Sequence, residues 1–231
     1  KLAEERFLRT AAHNVDGGIG TAGDLLELFG SPSVLERKAL DYFIHNAGSP
    51  DGVIEGGLAI FASGNETTSN AGYPGALPIC VSVTAYGPDY LPTGYTNYGR
   101  GCNIAAPGGD YTLTSDQQRA MILSTCISEV ATEYAYMQGT SMACPHVSGV
   151  VALGISYATR LRRHFKATEL QELLINTTVP IDSYMTGVKE YRRYVADIGP
   201  QQPMQLNLAP YKNQMGSGQV SAAAFLEAIA G

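Results

Sequence analysis

The run Leu58-Ala59-Ile60-Phe61-Ala62 is apolar without interruption. A strand with one wet face alternates apolar and polar side chains, so an unbroken run demands apolar packing on both faces. That is the situation of a strand in a parallel sheet covered by helices on either side, and this one ends at Ser63-Gly64-Asn65-Glu66. Ile79 to Thr84 predicts a second strand, entered through Tyr73-Pro74-Gly75 and left through the Gly- and Pro-bearing stretch from Gly87 to Gly94. Asn103 to Ala106 and Met121 to Ser124 are shorter strand-like pieces.

Helical patterns fall between these strands. Ser33 is placed to cap a helix with Glu36 three residues on, and Leu35, Ala39, Leu40, Phe43 and Ile44 give it an apolar face until Gly48. Pro145 to Arg163 has helical length, with Pro145 read as a first-turn residue, and Thr168 opens a further helix through Ile175. Leu2 to His13 and Ala22 to Phe29 are helix-like stretches around the loop Asp16-Gly17-Gly18-Ile19-Gly20. The alternation implies an α/β three-layer sandwich, a mostly parallel central sheet flanked by helices. No internal repeat or low-complexity tract interrupts it.

At 231 residues and 45% hydrophobic composition, the chain reads as one domain, 1–231. Its 15 basic and 21 acidic residues are dispersed and give a formal charge of −6, which offers no basic surface to nucleic acid. Val147 to Ile155 is too short and too broken by Ser and Gly to cross a bilayer. Position 1 is Lys and no leader pattern follows, so the natural beginning is expected to have been removed. Cys80, Cys102, Cys126 and Cys144 form no C-x-x-C pair; Cys80 and Cys144 fit buried free thiols.

The stretch with chemical content is Gly139-Thr140-Ser141-Met142-Ala143-Cys144-Pro145-His146-Val147-Ser148-Gly149. A serine at a helix mouth has an outward N–H and a field that favours negative charge, so nucleophile and anion donor can share one residue. On the residues alone, a capped helix explains the stretch better than catalysis. Gly149 is expected to let the helix lie close to a neighbour. Ala62-Ser63-Gly64-Asn65-Glu66 has the same double reading: Asn65 is a turn former or an amide donor at a strand end.

These two segments resemble the G-T-S-M-A-x-P-H-V-x-G and A-A-G-N-E signatures of subtilisin-like serine proteases. The α/β-hydrolase elbow G-x-S-x-G does not fit, since Ala143 stands where Gly is needed. Tyr73 to Ala85, Thr96-Asn97-Tyr98-Gly99 through Gly108, and Met215 to Ala222 resemble scaffold motifs of the same family, with Ser221 departing from the usual tail residue. The resemblance runs from about Ser33 to the end and leaves 1–32 as a divergent or inserted lead-in. It implies Ser141 as nucleophile, Asn65 and the Ser141 N–H as oxyanion donors, and Ala62, Ser63, Gly64 and Gly72 as walls and base of the primary specificity pocket. Glu66 would stand at the pocket rim, and the tail would pack near the domain surface.

The family's D-[ST]-G and H-G-T-H settings do not occur in this sequence. The catalytic Asp and His are therefore expected from an upstream segment of the same protein, with the N-terminal part of the fold absent here. Of the four histidines, His13, His45 and His164 lack the motif, and His146 belongs to the serine signature as a packing residue. The substrate-strand motif Ser-Leu-Gly has only Gly30 as a counterpart. The implied activity is endopeptidase cleavage of peptide or protein, in a secreted or cell-envelope setting, with this chain alone inactive. The alternative is a non-catalytic peptide- or protein-binding module on a degenerate fold. No cofactor or metal ligand is assigned; family members hold structural calcium, and Asp110, Asp116 and Asp182 are read as solvated loop acids rather than its ligands.

Overall fold

The computed structural model describes residues 34–111, 117–127, 134–191, 194–195, 199–200 and 204–231. The helix-like stretches of residues 1–33, the cap Ser33, Gly30, His13 and Asp116 lie outside the described residues. In chain order the elements that matter are α1 (Val34–Asn46), β1 (Ile54–Glu55), β2 (Ile60–Ala62), β3 (Val81–Tyr86), β4 (Ile104–Pro107), β5 (Ile122–Thr125), β6 (Tyr134–Met137), α2 (Thr140–Leu161), β7 (Phe165–Lys166), α3 (Ala167–Asn176), β8 (Val188–Tyr191), β9 (Tyr194–Val195), β10 (Gly199–Pro200), β11 (Met204–Asn207) and α4 (Ala222–Ala230).

β2, β3 and β4 form a parallel sheet in that order, with Ile60 opposite Val81 and Val83 opposite Ile104. Every residue of β3 is buried, as an apolar strand in the middle of a covered sheet requires. Val81, Val83, Ala85 and Ile104 pack on one face against Ala143, Val147 and Val151 of α2, and Phe225 and Ile229 of α4 close the same core. On the other face Leu40 and Ile44 of α1 meet Ala59, Leu77 and Cys80, while Tyr86 and Ala105 meet Ile181, Met185, Tyr211 and Met215. The result is three layers, helix, sheet and helix. The smaller pairs are parallel β1–β7 and antiparallel β5–β6, β8–β11 and β9–β10.

Two expectations need correction. α2 begins at Thr140 rather than Pro145, which puts Pro145 in the second turn. There its missing N–H removes the hydrogen bond that would return to the Ser141 carbonyl. Gly149 is not the close-approach glycine: a Cβ there would meet nothing within 4 Å, because it lies on the outward face of α2. Gly154 has that role, since its Cβ would press on Phe225 and come within 2.7 Å of Ile229 Cδ1. The tail Met215 to Ala222 is half-buried on average and leads into a core element: Ser221 Oγ accepts the Ala224 N–H at 3.3 Å, capping α4, which buries Phe225 and Ile229 completely.

None of the four cysteines is joined in a disulfide. Cys80 and Cys144 are buried, and burial pushes both thiols up to about 12. No helix among the described residues is long and apolar enough to cross a membrane.

Candidate functional site

β2 runs out at Ala62, and the chain turns through Ser63-Gly64-Asn65 with Gly64 at φ +110°, a backbone that side chains rarely adopt. The turn points the exposed Asn65 at the start of α2. Asn65 Oδ1 accepts the Thr140 N–H at 3.0 Å and the Thr140 hydroxyl at 2.9 Å. An N-cap contact normally comes from the residue just before the helix; here Gly139 provides no side chain and a residue 75 positions away does the capping. Both acceptor sites of the Asn65 carbonyl oxygen are thereby occupied, and the planar amide turns Nδ2 away from Thr140.

Two more first-turn donors are accounted for. Met142 N–H and Ala143 N–H both reach Gly139 O, at 2.9 and 3.2 Å. The Ser141 N–H is left without an acceptor among the described residues, and so is its half-buried hydroxyl. Gly139 has φ +145°, and a Cβ built on it would stand 3.7 Å from Ser141 N and 3.8 Å from Asn65 Nδ2. The Ser141 N–H and the Asn65 amide nitrogen thus border one space, each at van der Waals distance from where a Cβ of residue 139 would stand. Two amide donors bordering one space at a helix N-terminus suit a negatively charged oxygen there.

The turn that feeds Ser141 is braced from below. Gly139 N–H reaches Gly108 O at 2.9 Å, and the single Tyr95 O–H has Gly109 O at 2.6 Å and Gly108 O at 2.9 Å within reach as acceptors. Burial, the largest cause, drives the Tyr95 phenol well above its ordinary pKa, so it stays a donor. Sequence reading passed over Tyr95 because no local pattern links it to position 139.

Ser63 and Gly64 are buried and Ala62 is half-buried. Gly72 donates its N–H to Ser63 O at 2.8 Å, which places it beside the turn that leaves β2. Glu66 Oε2 accepts from Asn97 Nδ2 at 2.7 Å, which ties this exposed carboxylate to the body of the fold.

Among the described residues, the histidines do not approach Ser141. His45 sits at the end of α1, with Nδ1 2.8 Å from Asp41 O. His164 lies beyond the far end of α2, about 30 Å along the helix from Ser141. His146 is five residues on, turned about 140° around the helix from Ser141, with Nδ1 2.8 Å from Met142 O. It is exposed rather than packed, because it shares the outward face of α2 with Pro145 and Gly149.

Of the acids considered for calcium, Asp110 and Asp182 are described, and both have protein partners. Asp110 Oδ2 lies 3.0 Å from the buried ammonium of Lys189, which already supplies the counter-charge. Asp182 Oδ1 accepts the Asn213 N–H at 2.6 Å. Among the described residues no cluster of three or more His, Cys, Asp or Glu could hold a metal.

The subtilase (peptidase S8) family model matches residues 29–216. Over 124 residues the chain is 36% identical to the extracellular basic protease of Dichelobacter nodosus, covering 53% of this chain and 19% of that protein. It is 32% identical over 152 residues to the intracellular serine protease of Paenibacillus polymyxa, covering 59% of this chain and 42% of the relative. A solved protease structure from Pseudoalteromonas arctica superposes with TM-score 0.61 and 22% identity, over 97% of this chain and 57% of its own. The patellamide maturation protease PatA superposes at 0.57 and 22% identity, over 99% and 68%. The chain spans less than half the length of these curated relatives. The structural likeness establishes a subtilisin-like fold, and with the family model matching most of its length the chain belongs to the subtilase family.

Proposed function

We propose that this chain carries the nucleophile and the oxyanion donors of a serine endopeptidase, with the general base and its carboxylate delivered by an upstream segment of the same protein. Ser141 Oγ would attack the scissile carbonyl carbon while its proton passes to the upstream imidazole. The carbonyl oxygen becomes an anion, held by the Ser141 N–H and Asn65 Nδ2. Collapse expels the amine, which takes the proton back from the imidazolium, and water then cleaves the acyl-serine by the reverse sequence. The observation that carries this reading is the Ser141 N–H left unpaired beside an Asn65 whose oxygen is already tied to Thr140.

Support for an upstream partner comes from α2. Its outward face exposes Pro145, Gly149, Ala152 and Leu153, and Leu153 is 56% exposed. Small and apolar residues along one stripe suit the approach of another layer. Ala62, Ser63, Gly64 and Gly72 would shape the primary pocket for large apolar or aromatic side chains, with the tethered Glu66 tolerating basic ones. A secreted or cell-envelope location is in keeping with relatives named as extracellular proteases.

The test compares hydrolysis of a mixed peptide library by this chain, by its Ser141→Ala variant and by a version extended upstream. The expected result is cleavage by the extended form alone, after large apolar or aromatic residues, and its loss on Ser141→Ala. Cleavage by the chain alone that Ser141→Ala abolishes would overturn the upstream base and return attention to His13, His45 and His164. Cleavage only after Gly or Ala would overturn the pocket assignment. Inactivity of every form would put the binding module first, a reading favoured by the distance of the described histidines from Ser141.

A further inference from the structure

We propose that Asn97 is a positioning residue for the oxyanion donor: its buried side-chain amide fixes the backbone on both sides of Asn65 without touching Asn65 itself. The inference rests on the oxyanion reading above and concerns a residue whose motif otherwise reads as scaffold.

Asn97 is 2% exposed, and all four hydrogen-bonding positions of its amide are used. Oδ1 accepts from Glu66 N at 3.0 Å and Thr68 N at 3.1 Å. Nδ2 donates to Ser63 O at 3.0 Å and to Glu66 Oε2 at 2.7 Å. Its backbone N–H adds a bond to Gly64 O at 3.0 Å. Every partner lies between positions 63 and 68, before and after Asn65. The segment has left β2 and has no ladder of its own, so Asn97 supplies the template that a neighbouring strand would supply elsewhere.

That template is rigidly mounted. Thr96 is fully buried, and its hydroxyl accepts the Ala85 N–H of β3 at 2.9 Å, tying the 96–97 segment to the sheet. Tyr98 N–H reaches Thr68 O at 3.0 Å, so the two segments are also laced beyond Asn97. Thr140 holds Asn65 at the tip of its side chain, and Asn97 holds the backbone from which that side chain departs. Together they define where Nδ2 stands relative to the Ser141 N–H. A misplacement of about 1 Å in such a site is enough to cost about 10²-fold in rate.

Only asparagine meets the requirement. Aspartate lacks both donors and would bring a second carboxylate against Glu66, serine has one donor, and glutamine is a methylene too long for a side chain this enclosed.

The experiment measures kcat, KM and Tm in the upstream-extended protein. Asn97→Ala, Asn65→Ala and the double variant form one cycle; Asn97→Asp, with and without Glu66→Gln, forms a second series. Asn97→Ala is expected to lower kcat about 10- to 100-fold with KM changing little. In the Asn65→Ala background the same change should cost less than about 3-fold, since a donor that is gone cannot be misplaced. Glu66→Gln offers an N–H to an aspartate at 97 and should recover part of the kcat lost in Asn97→Asp. An equal fold-loss with and without Asn65 overturns the proposal. If Asn97→Ala does not fold, the aspartate series decides, and recovery of Tm without recovery of kcat overturns it. An Asn65→Ala variant with unchanged kcat, or an inactive extended protein, would instead overturn the oxyanion reading and this proposal with it.

Discussion

Replacing Lys189 by Met removes one buried charge and keeps the length of the aliphatic stem. Lys189 belongs to β8, where exposed and buried residues alternate, and it is one of the two that point inward. It is 4% exposed; its ammonium lies 3.0 Å from Asp110 Oδ2, 3.1 Å from Asp89 Oδ2, 3.0 Å from Pro92 O and 4.8 Å from the centre of the Tyr191 ring. Tyr191 Oη also donates to Pro92 O, at 3.1 Å, so the two inward residues of β8 clamp the hairpin to the sheet-end loops. Lys189→Met takes the ammonium from Asp110, which is only 2% exposed. Breaking one side of such a buried pair costs about 3–5 kcal/mol, a large part of the roughly 5–15 kcal/mol that holds a domain together.

Asp89 is part-exposed and water can compensate it, so most of the cost is assigned to Asp110. Asp110→Asn should therefore cost less, about 1–2 kcal/mol, because Lys189 keeps Asp89 and Pro92 O. The double variant Lys189→Met/Asp110→Asn should recover about 2 kcal/mol relative to the sum of the single changes. Urea unfolding followed by far-UV circular dichroism at pH 7 measures all three. The loss should be nearly the same at low and high salt, since screening acts weakly on buried pairs. A Lys189→Met variant within 1 kcal/mol of the parent, or strictly additive single changes, would refute the assignment of the clamp to this ion pair.

Two glycines of the same helix should respond in opposite directions. Gly149→Ala enters open space and should stabilise the chain by up to about 1 kcal/mol through helix propensity, whereas Gly154→Ala forces Phe225 and Ile229 to shift and should destabilise it by about 1–2 kcal/mol net. Equal shifts in Tm would contradict the packing described for α2 and α4. Burial raises the thiols of Cys80, Cys102 and Cys144 from 9.0 to about 12. Between those values the unfolded chain has released protons that the native chain still holds, so stability should be full below about pH 9 and fall as pH rises toward 12. The urea midpoint should drop from pH 9 to 11, less steeply in Cys144→Ala; a flat or rising midpoint would contradict it.

The sequence carries its information unevenly, and the reason is the range over which each feature is determined. β3 and α1 are legible because burial on both faces, or on one stripe, is written into consecutive residues. The start of α2 is not legible in the same way. A proline looks like a first-turn residue wherever helix propensity rises, and the actual first turn is capped by Asn65, 75 residues away. Helix α4 had a local signal in Ser221 ahead of Ala222 and an apolar run, but reading the stretch as a family tail obscured it. Lys189 carries no local signal of its burial, since its partners Asp89 and Asp110 are 100 and 79 positions distant.

The candidate site divides along the same line. Ser141 and Asn65 are singled out by family resemblance, which is carried by short contiguous segments whose backbone turns sharply at Gly139 and Gly64. What makes them face each other is not. Thr140, Tyr95 and Asn97 are chemically unremarkable until the fold brings them to those turns, where each satisfies a backbone or amide group that would otherwise be left unpaired. A hydroxyl, a phenol and an amide have no periodicity and no spacing to betray them; their function is defined by the partner. The residues that would touch substrate are therefore visible one-dimensionally, while those that set the distance between Asn65 and Ser141 are consequences of the parallel sheet that carries β2, β3 and β4.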